Sequence, residues 1–253
     1  MAQHESNHNQ WAAGWYTGKT VFVTGGTSGI GAAISRGFIE AGAKLVSTGV
    51  SDAEIEAAGR DPLLAAARLE RLDVRDRAAV ERLVSSLPSL DVVINCAGII
   101  RRDAELDPDV FSAVVDINLT GSMRVCAAAR PKLKETRGSI VNLASMLSFF
   151  GGGLVPGYSA SKGGIAQMTK SLAIAYAGDG IRVNAIAPGW IETPLTQDLQ
   201  ENDSRRTAII NRTPLKRWGR PEDVVGGVLF LCSPAAGFIT GTILPIDGGY
   251  LVV

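Results

Sequence analysis

Thr20-Val-Phe-Val-Thr24-Gly-Gly-Thr-Ser-Gly-Ile-Gly31 is the stretch that decides the fold. Thr20 to Thr24 is a short apolar, β-branched run, the pattern of a strand buried on both faces. A glycine turn of form T-G-x-x-x-G-x-G follows, and then Ile30, Ala33, Ile34, Gly37 and Ala41 recur at helical spacing until Gly42 stops the helix. Glycine there allows positive φ and lets the backbone approach a ligand. The amides that open the next helix favour an anion, above all a pyrophosphate. Gly25, Thr27, Ser28, Gly29, Ile30 and Gly31 are therefore candidate dinucleotide contacts.

Outward from this unit the alternation repeats. Lys44 to Ser47, Ala67 to Asp73, Leu90 to Ile94, Ser139 to Ala144, Arg182 to Ile186 and Thr242 to Pro245 read as further strands. Ala79, Val80, Leu83, Val84 and Leu87 mark one helix face, a long helix runs from about Pro108 to Lys134, and Leu229 to Cys232 closes another. Strands alternating with helices imply an α/β fold with a doubly wound parallel sheet and right-handed crossovers. No linker, repeat or low-complexity block divides the 253 residues. A polar tail over 1–18, whose Trp11, Trp15 and Tyr16 could dock on the body, and a single dinucleotide-binding catalytic domain over 19–253 are expected.

Composition narrows the function. Twenty-five Lys plus Arg balance twenty-five Asp plus Glu, which argues against nucleic-acid binding through a basic surface. No run approaches the ~18 apolar residues of a membrane span, and the start lacks the apolar stretch of a signal peptide. The two histidines, His4 and His8, both lie in the tail, so a histidine-based triad, hydride-transfer acid or zinc site within the fold is not expected. Cys96, Cys126 and Cys232 show no CxxC spacing. They read as reduced thiols of a cytoplasmic protein, with no metal site. Acid–base chemistry must fall to Tyr, Lys, Asp, Glu or Ser.

In an open parallel sheet the ligand lies beyond the carboxyl ends of the strands. Asp73-Val74, Asn95-Cys-Ala-Gly98, Ser145 and Pro188-Gly189 follow successive strands and are placed to line that cleft. Tyr158-Ser-Ala-Ser-Lys162 opens a helix continuing through Ile165, Met168 and Leu172. Residues four apart share a helical face, so phenol and ammonium lie together. Lowering a phenol from ~10 to ~7 needs about 4 kcal/mol. A cation ~4 Å away at an effective dielectric of ~20 supplies roughly that. Lys162 is expected to do most of this tuning, with Tyr158 the acid–base group and Ser145 holding the substrate oxygen.

These residues resemble the classical short-chain dehydrogenase/reductase family from about Gly18 to Val253. The family's glycine turn falls on Thr24 to Gly31, and its N-N-A-G motif on Asn95-Cys96-Ala97-Gly98, with Cys96 departing from the usual second Asn. The resemblance implies a seven-stranded Rossmann sheet, a homotetramer, and catalytic residues Asn118, Ser145, Tyr158 and Lys162. It implies that Asn118 kinks its helix and holds a water relaying protons from Lys162, which would also contact the nicotinamide ribose. It places Asp73 and Val74 at the adenine, and Pro188, Gly189, Ile191 and Thr193 at the carboxamide. Asn95, Ala97 and Gly98 complete the cofactor set. The apolar stretch Ile239 to Val253 is compatible with a subunit interface.

Cofactor choice is set after the second strand, where Gly49 holds the usual acidic position. Neither an acidic nor a basic signature stands there, and the lack of a nearby cation favours NAD over NADP, while Thr48 and Ser51 could still bind a phosphate through their hydroxyls. Ala97 to Arg102 and Ala144 to Tyr158 are similar to the sugar-acid branch of the family, the 2-deoxy-D-gluconate 3-dehydrogenases and 2-dehydro-3-deoxy-D-gluconate 5-dehydrogenases. Arg101 or Arg102 could pair with a sugar carboxylate. Trp190 to Gln200 and the polar helix after it read as a lid in which Glu192, Gln197 and Asp198 could reach hydroxyls. The competing readings are a 3-oxoacyl-(acyl carrier protein) reductase and a non-catalytic nucleotide-binding regulator.

Overall fold

The computed structural model describes residues 10–253; the first nine residues, with both histidines, lie outside the described residues. Seven parallel strands form one sheet in the order β3-β2-β1-β4-β5-β6-β7. They are β1 (Thr20–Thr24), β2 (Lys44–Gly49), β3 (Arg68–Arg71), β4 (Val92–Asn95), β5 (Ser139–Leu143), β6 (Arg182–Pro188) and β7 (Ile243–Ile246). The order turns back between β1 and β4, which opens a crevice at their carboxyl ends. Thr24 pairs with Asn95 and Asn95 with Asn142, so these ends are level.

The nine α-helices described are α1 (Gly29–Glu40), α2 (Asp52–Gly59), α3 (Arg77–Ser85), α4 (Pro108–Val115), α5 (Ser122–Thr136), α6 (Pro156–Ala177), α7 (Gln197–Gln200), α8 (Asp203–Arg212) and α9 (Pro221–Cys232). Alternation along β1 divides the core. Val21 and Val23 pack with Ile34, Phe38, Val224 and Val228 of α1 and α9. Phe22 packs on the other side with Val125, Leu133 and Leu172 of α5 and α6. Each fully buried side chain of this size adds roughly 1.5–3 kcal/mol.

One boundary changes here. The stretch 1–18 is not a free tail throughout: Ala12 and Tyr16 are buried in the core beside α1 and α9. The Tyr16 ring meets Phe38 edge-on at 4.9 Å and its hydroxyl donates to the Leu229 carbonyl. The folded unit thus begins before residue 19. The long helix is interrupted where the resemblance places a kink: a π-turn over Asp116–Gly121, which holds Asn118, separates α4 from α5. By length and composition the whole stretch Pro108–Thr136 could cross a membrane. Here α4 instead packs on α6, and α5 on α3 and the sheet.

Candidate active site

The crevice is a cleft of about 890 Å³ floored by the glycine turn. Gly25 and Gly29 hold φ of +62° and +51°, values that side chains disfavour. A Cβ on Gly25 would stand 2.8 Å from the Ala97 backbone, and one on Gly31 would collide with the Gly25 carbonyl. The N-cap residue Ser28 makes no side-chain cap, so the amides opening α1 are left for a ligand. A cradle that any Cβ would fill, ending on uncapped amides, fits a pyrophosphate.

Of the expected cofactor contacts, Gly25, Thr27, Ser28, Gly29, Ile30, Gly31, Asp73, Val74, Ala97, Gly98 and Thr193 line this cleft. Asn95 does not. Its buried amide donates to Asn142 Oδ1 at 2.8 Å and to Cys126 Sγ at 3.3 Å, a brace between β4, β5 and α5. Pro188 ends β6 in the core, and Gly189 lies against Asp247. Ile191 lines a separate cavity of about 220 Å³ beside Trp190 and Gly219. The chain leaving β6 bridges to Gly219 before it returns, so Thr193 is the first of this run to reach the cleft. The sequence reading did not include Leu143, Ile99 or Glu54, which also line it. Cys96 lines it too, but burial pushes its thiol up to about 12, so it stays a neutral wall atom.

The helix α6 carries Tyr158 in its first turn and Lys162 one turn on; these two, Ser145 and Asn118 do not line the cleft themselves but sit behind its Ile99 and Leu143 wall. The lysine Nζ lies 5.4 Å from the phenol ring centre. It is 3% exposed and donates to the Leu143 carbonyl at 2.6 Å. Ser145 follows β5, and its hydroxyl accepts from the Leu147 amide at 3.2 Å. Asn118 sits within the π-turn. Its side chain accepts from the Ile99 amide at 2.8 Å and donates to the Ile99 carbonyl at 2.9 Å and Ser161 Oγ at 3.1 Å.

A glycine cradle on the first βα turn and a Tyr–Lys pair beside its cleft are matched in known proteins. The family model described as Enoyl-(Acyl carrier protein) reductase matches residues 14–251. The 2-dehydro-3-deoxy-D-gluconate 5-dehydrogenase of Pseudoalteromonas atlantica is 38% identical over 249 residues, covering 92% of this chain and 96% of that one. The chain belongs to the short-chain dehydrogenase/reductase family.

Other relatives place it more widely within the family. The 3-oxoacyl-[acyl-carrier-protein] reductase of Thermotoga maritima is 37% identical, with 93% of this chain and 98% of that one covered. A gluconate 5-dehydrogenase from Burkholderia cenocepacia, solved with NADP and tartrate, superposes with a TM-score of 0.88 at 30% identity. That match covers 96% of this chain and 99% of the other. The protein is an oxidoreductase that uses a nicotinamide dinucleotide and acts on CH–OH groups.

The electrostatics of the acid–base pair correct the sequence reading. Burial holds the Tyr158 phenol above its ordinary value, against hydrogen bonding from Ser145 and the charge of Arg102, while Glu105 pushes the same way as burial. Burial also pulls the Lys162 ammonium down to about 8. Desolvation is thus the largest influence on the phenol, and the Lys162 charge is not among those that act on it. The lysine turns its amine to Leu143, and its charge alone does not tune the tyrosine.

A second carboxylate, invisible to local pattern, fixes the pair in place. Glu105 is 1% exposed and has no cationic partner among the described residues. One oxygen accepts the Arg101 amide and the other the amide of Tyr158 itself, each at 2.7 Å. The carboxylate lies at the start of α6, where the helix dipole favours it and Val155 supplies no cap. It ties the arginine loop to the catalytic helix. Asp103 reinforces the tie by donating its amide to Leu154 at 2.9 Å. Arg101 lines the cleft. Arg102 donates to the Leu195 carbonyl at 3.2 Å, bridging to the segment that covers the site. In that segment Pro194 and Leu195 line the cleft, whereas Glu192, Gln197 and Asp198 do not. Gln197 bonds Glu201 at 2.8 Å instead.

Proposed function

We propose that this enzyme interconverts a secondary hydroxyl and a ketone on a sugar acid or related polyol, with NAD(H) as the preferred carrier. The observation that carries the reading is one connected unit. Glu105 joins the Tyr158 helix to a loop bearing two adjacent arginines, one on the cleft wall and one acting on the phenol. The Arg101 guanidinium on the cleft wall suits a carboxylate in bidentate fashion. The names of the relatives from Pseudoalteromonas atlantica and Burkholderia cenocepacia are those of sugar-acid dehydrogenases.

A bound nicotinamide would supply the hydride chemistry. The phenol of Tyr158 gives its proton to the ketone oxygen in reduction and takes the hydroxyl proton in oxidation. Held above its ordinary value, it is poised as the acid at neutral pH; acting as base requires added positive charge beside it. Ser145 holds the substrate oxygen. Lys162 stands one turn from the phenol, at the wall where the nicotinamide ribose would lie. Asn118 braces the Ile99 loop against α6, and the proton relay expected of it runs beside that brace. Phosphate contacts fall to Gly25 through Gly31, and adenine contacts to Asp73 and Val74.

The reading includes a cytoplasmic homotetramer. The three cysteines are unpaired, and Phe238, Val252 and Val253 stand exposed around the half-buried edge strand β7, an apolar area suited to another copy. The test is a panel of sugar acids, neutral polyols and acyl thioesters, followed at the reduced-nicotinamide absorbance with both cofactors. Turnover highest on carboxylated sugars is expected. Turnover confined to acyl thioesters would replace this reading with the carrier-protein reductase, and none with any oxidisable or reducible substrate would favour a binding role.

A further inference from the structure

Gly49 ends β2 at the place where an acidic side chain reads the adenosine ribose in such folds. Its φ is not positive, so backbone freedom does not call for glycine there. Space does: a Cβ would lie 2.8 Å from Glu54 Oε2 and 2.9 Å from Thr27 Oγ1. The room a side chain at 49 would need is already filled by a carboxylate reaching back from the first turn of α2.

Local helix chemistry explains part of this position. Ser51 caps α2 by accepting the Glu54 amide, and Ser-x-x-Glu is the capping-box pattern. A capping-box glutamate returns to the amide of the cap residue. Glu54 Oε2 instead accepts the amide of Val50, one residue nearer the strand, at 2.8 Å. That displacement brings the carboxylate to the cleft wall beside Gly49, Val50 and Thr27. Among the described residues, its other oxygen takes no hydrogen bond and no cation pairs with it. The nearest arginines of the strand ends are engaged elsewhere. Arg71, level with Gly49, meets Asp52 at 3.4 Å, and Arg75, which itself lines the cleft, is held by Asp73 at 2.6 Å.

We infer that Glu54, from α2, takes over the task of the missing acid at the end of β2. Its free oxygen accepts the ribose hydroxyls and its charge repels a 2′-phosphate. Gly49 and Glu54 are thus one exchange: the strand gives up its side chain so that the helix can supply the carboxylate. This rests on the dinucleotide reading of the cleft and deepens it to a named specificity residue.

The test is fluorescence titration of the substrate-free protein with NADH and with NADPH, which needs no turnover. The unsubstituted protein should bind NADH more tightly. Glu54→Gln should shrink the NADH-to-NADPH affinity ratio by about tenfold, the scale of one charge-assisted contact. The double variant Gly49→Asp, Glu54→Ala moves the carboxylate onto the strand and should restore the preference for NADH. An unchanged ratio in Glu54→Gln, or tighter NADPH binding by the unsubstituted protein, overturns the assignment while leaving the dinucleotide cleft intact. Failure of the unsubstituted protein to bind either dinucleotide overturns both.

Discussion

The two walls of the cleft hold their ligands by different means. The wall at Gly25 to Gly31 is backbone: a ligand meets amides, and at Gly25 and Gly31 neighbouring main chain leaves no room for Cβ. The wall at Ile99 to Glu105, with Thr193 to Leu195 above it, is made of long side chains on irregular chain. It is held by bonds across 53 residues, from Tyr158 to Glu105, and 93, from Arg102 to Leu195. The first wall has little freedom to vary and reads a feature every dinucleotide shares. The second can be rebuilt residue by residue, and under the proposed function it is the wall that meets the substrate.

Substitutions should separate the walls. Tyr158→Phe should cut turnover by at least ~10³-fold, near the upper range for a lost acid–base group, with NADH affinity retained in a fluorescence titration. Gly31→Ala should do the reverse damage, weakening NADH binding by ~100-fold or more and lowering stability by ~1–3 kcal/mol through overpacking, read by titration and thermal melts. Glu105→Gln keeps one acceptor of the two. It should lower kcat by ~10–100-fold, the scale of a lost charged hydrogen bond, and move the pH–rate profile acidward because a negative charge beside the phenol is gone, with NADH binding unchanged. A profile that stays put would reduce Glu105 to a helix cap.

Lys162 is buried behind the Leu143 stretch of the cleft and carries a cost in stability. Its pKa falls from 10.5 unfolded to about 8 folded, so the unfolded chain binds more protons between those values and stability rises with pH across that window. Lys162→Met should therefore gain ~1–3 kcal/mol below pH ~8, lose that gain as pH approaches ~10.5, and lose activity; denaturant titrations at several pH values measure it. The smallest effect belongs to the second wall. Arg101→Ala with Arg102→Ala should raise KM for carboxylated sugars by about tenfold relative to neutral ones, and equal rises for both would dismiss a carboxylate clamp.

The same contrast explains what the sequence showed. The strands and the glycine turn obey local rules of period and sterics, and the expected spans match β1 to β7 to within a few residues at each end. That Trp11, Trp15 and Tyr16 could dock on the body is legible, but three aromatics before the first strand carry no period to show that Tyr16 is the one that closes the core under α1 and α9. Asn95 was assigned to the cofactor because it follows a strand; which face of β4 it uses is decided by its pairing with Asn142. Glu54 and Glu105 were missed for a shared reason. Each acts on a residue outside its own periodic pattern, and only the folded chain brings the partners together. The direction of the Tyr158 shift was misread because spacing gives the distance to a charge and says nothing of desolvation.

The π-turn at Asp116–Gly121 sets the two halves of one continuous helix out of phase. Each residue of an α-helix advances the azimuth by about 100°, so one extra residue in the turn re-aims everything beyond it. Upstream, the rod leans on the helix that bears the tyrosine; downstream, it leans on the hydrophobic layer beneath the sheet. Deleting a single residue there would realign the rod as a uniform spiral, and it could then satisfy only one of its two neighbours.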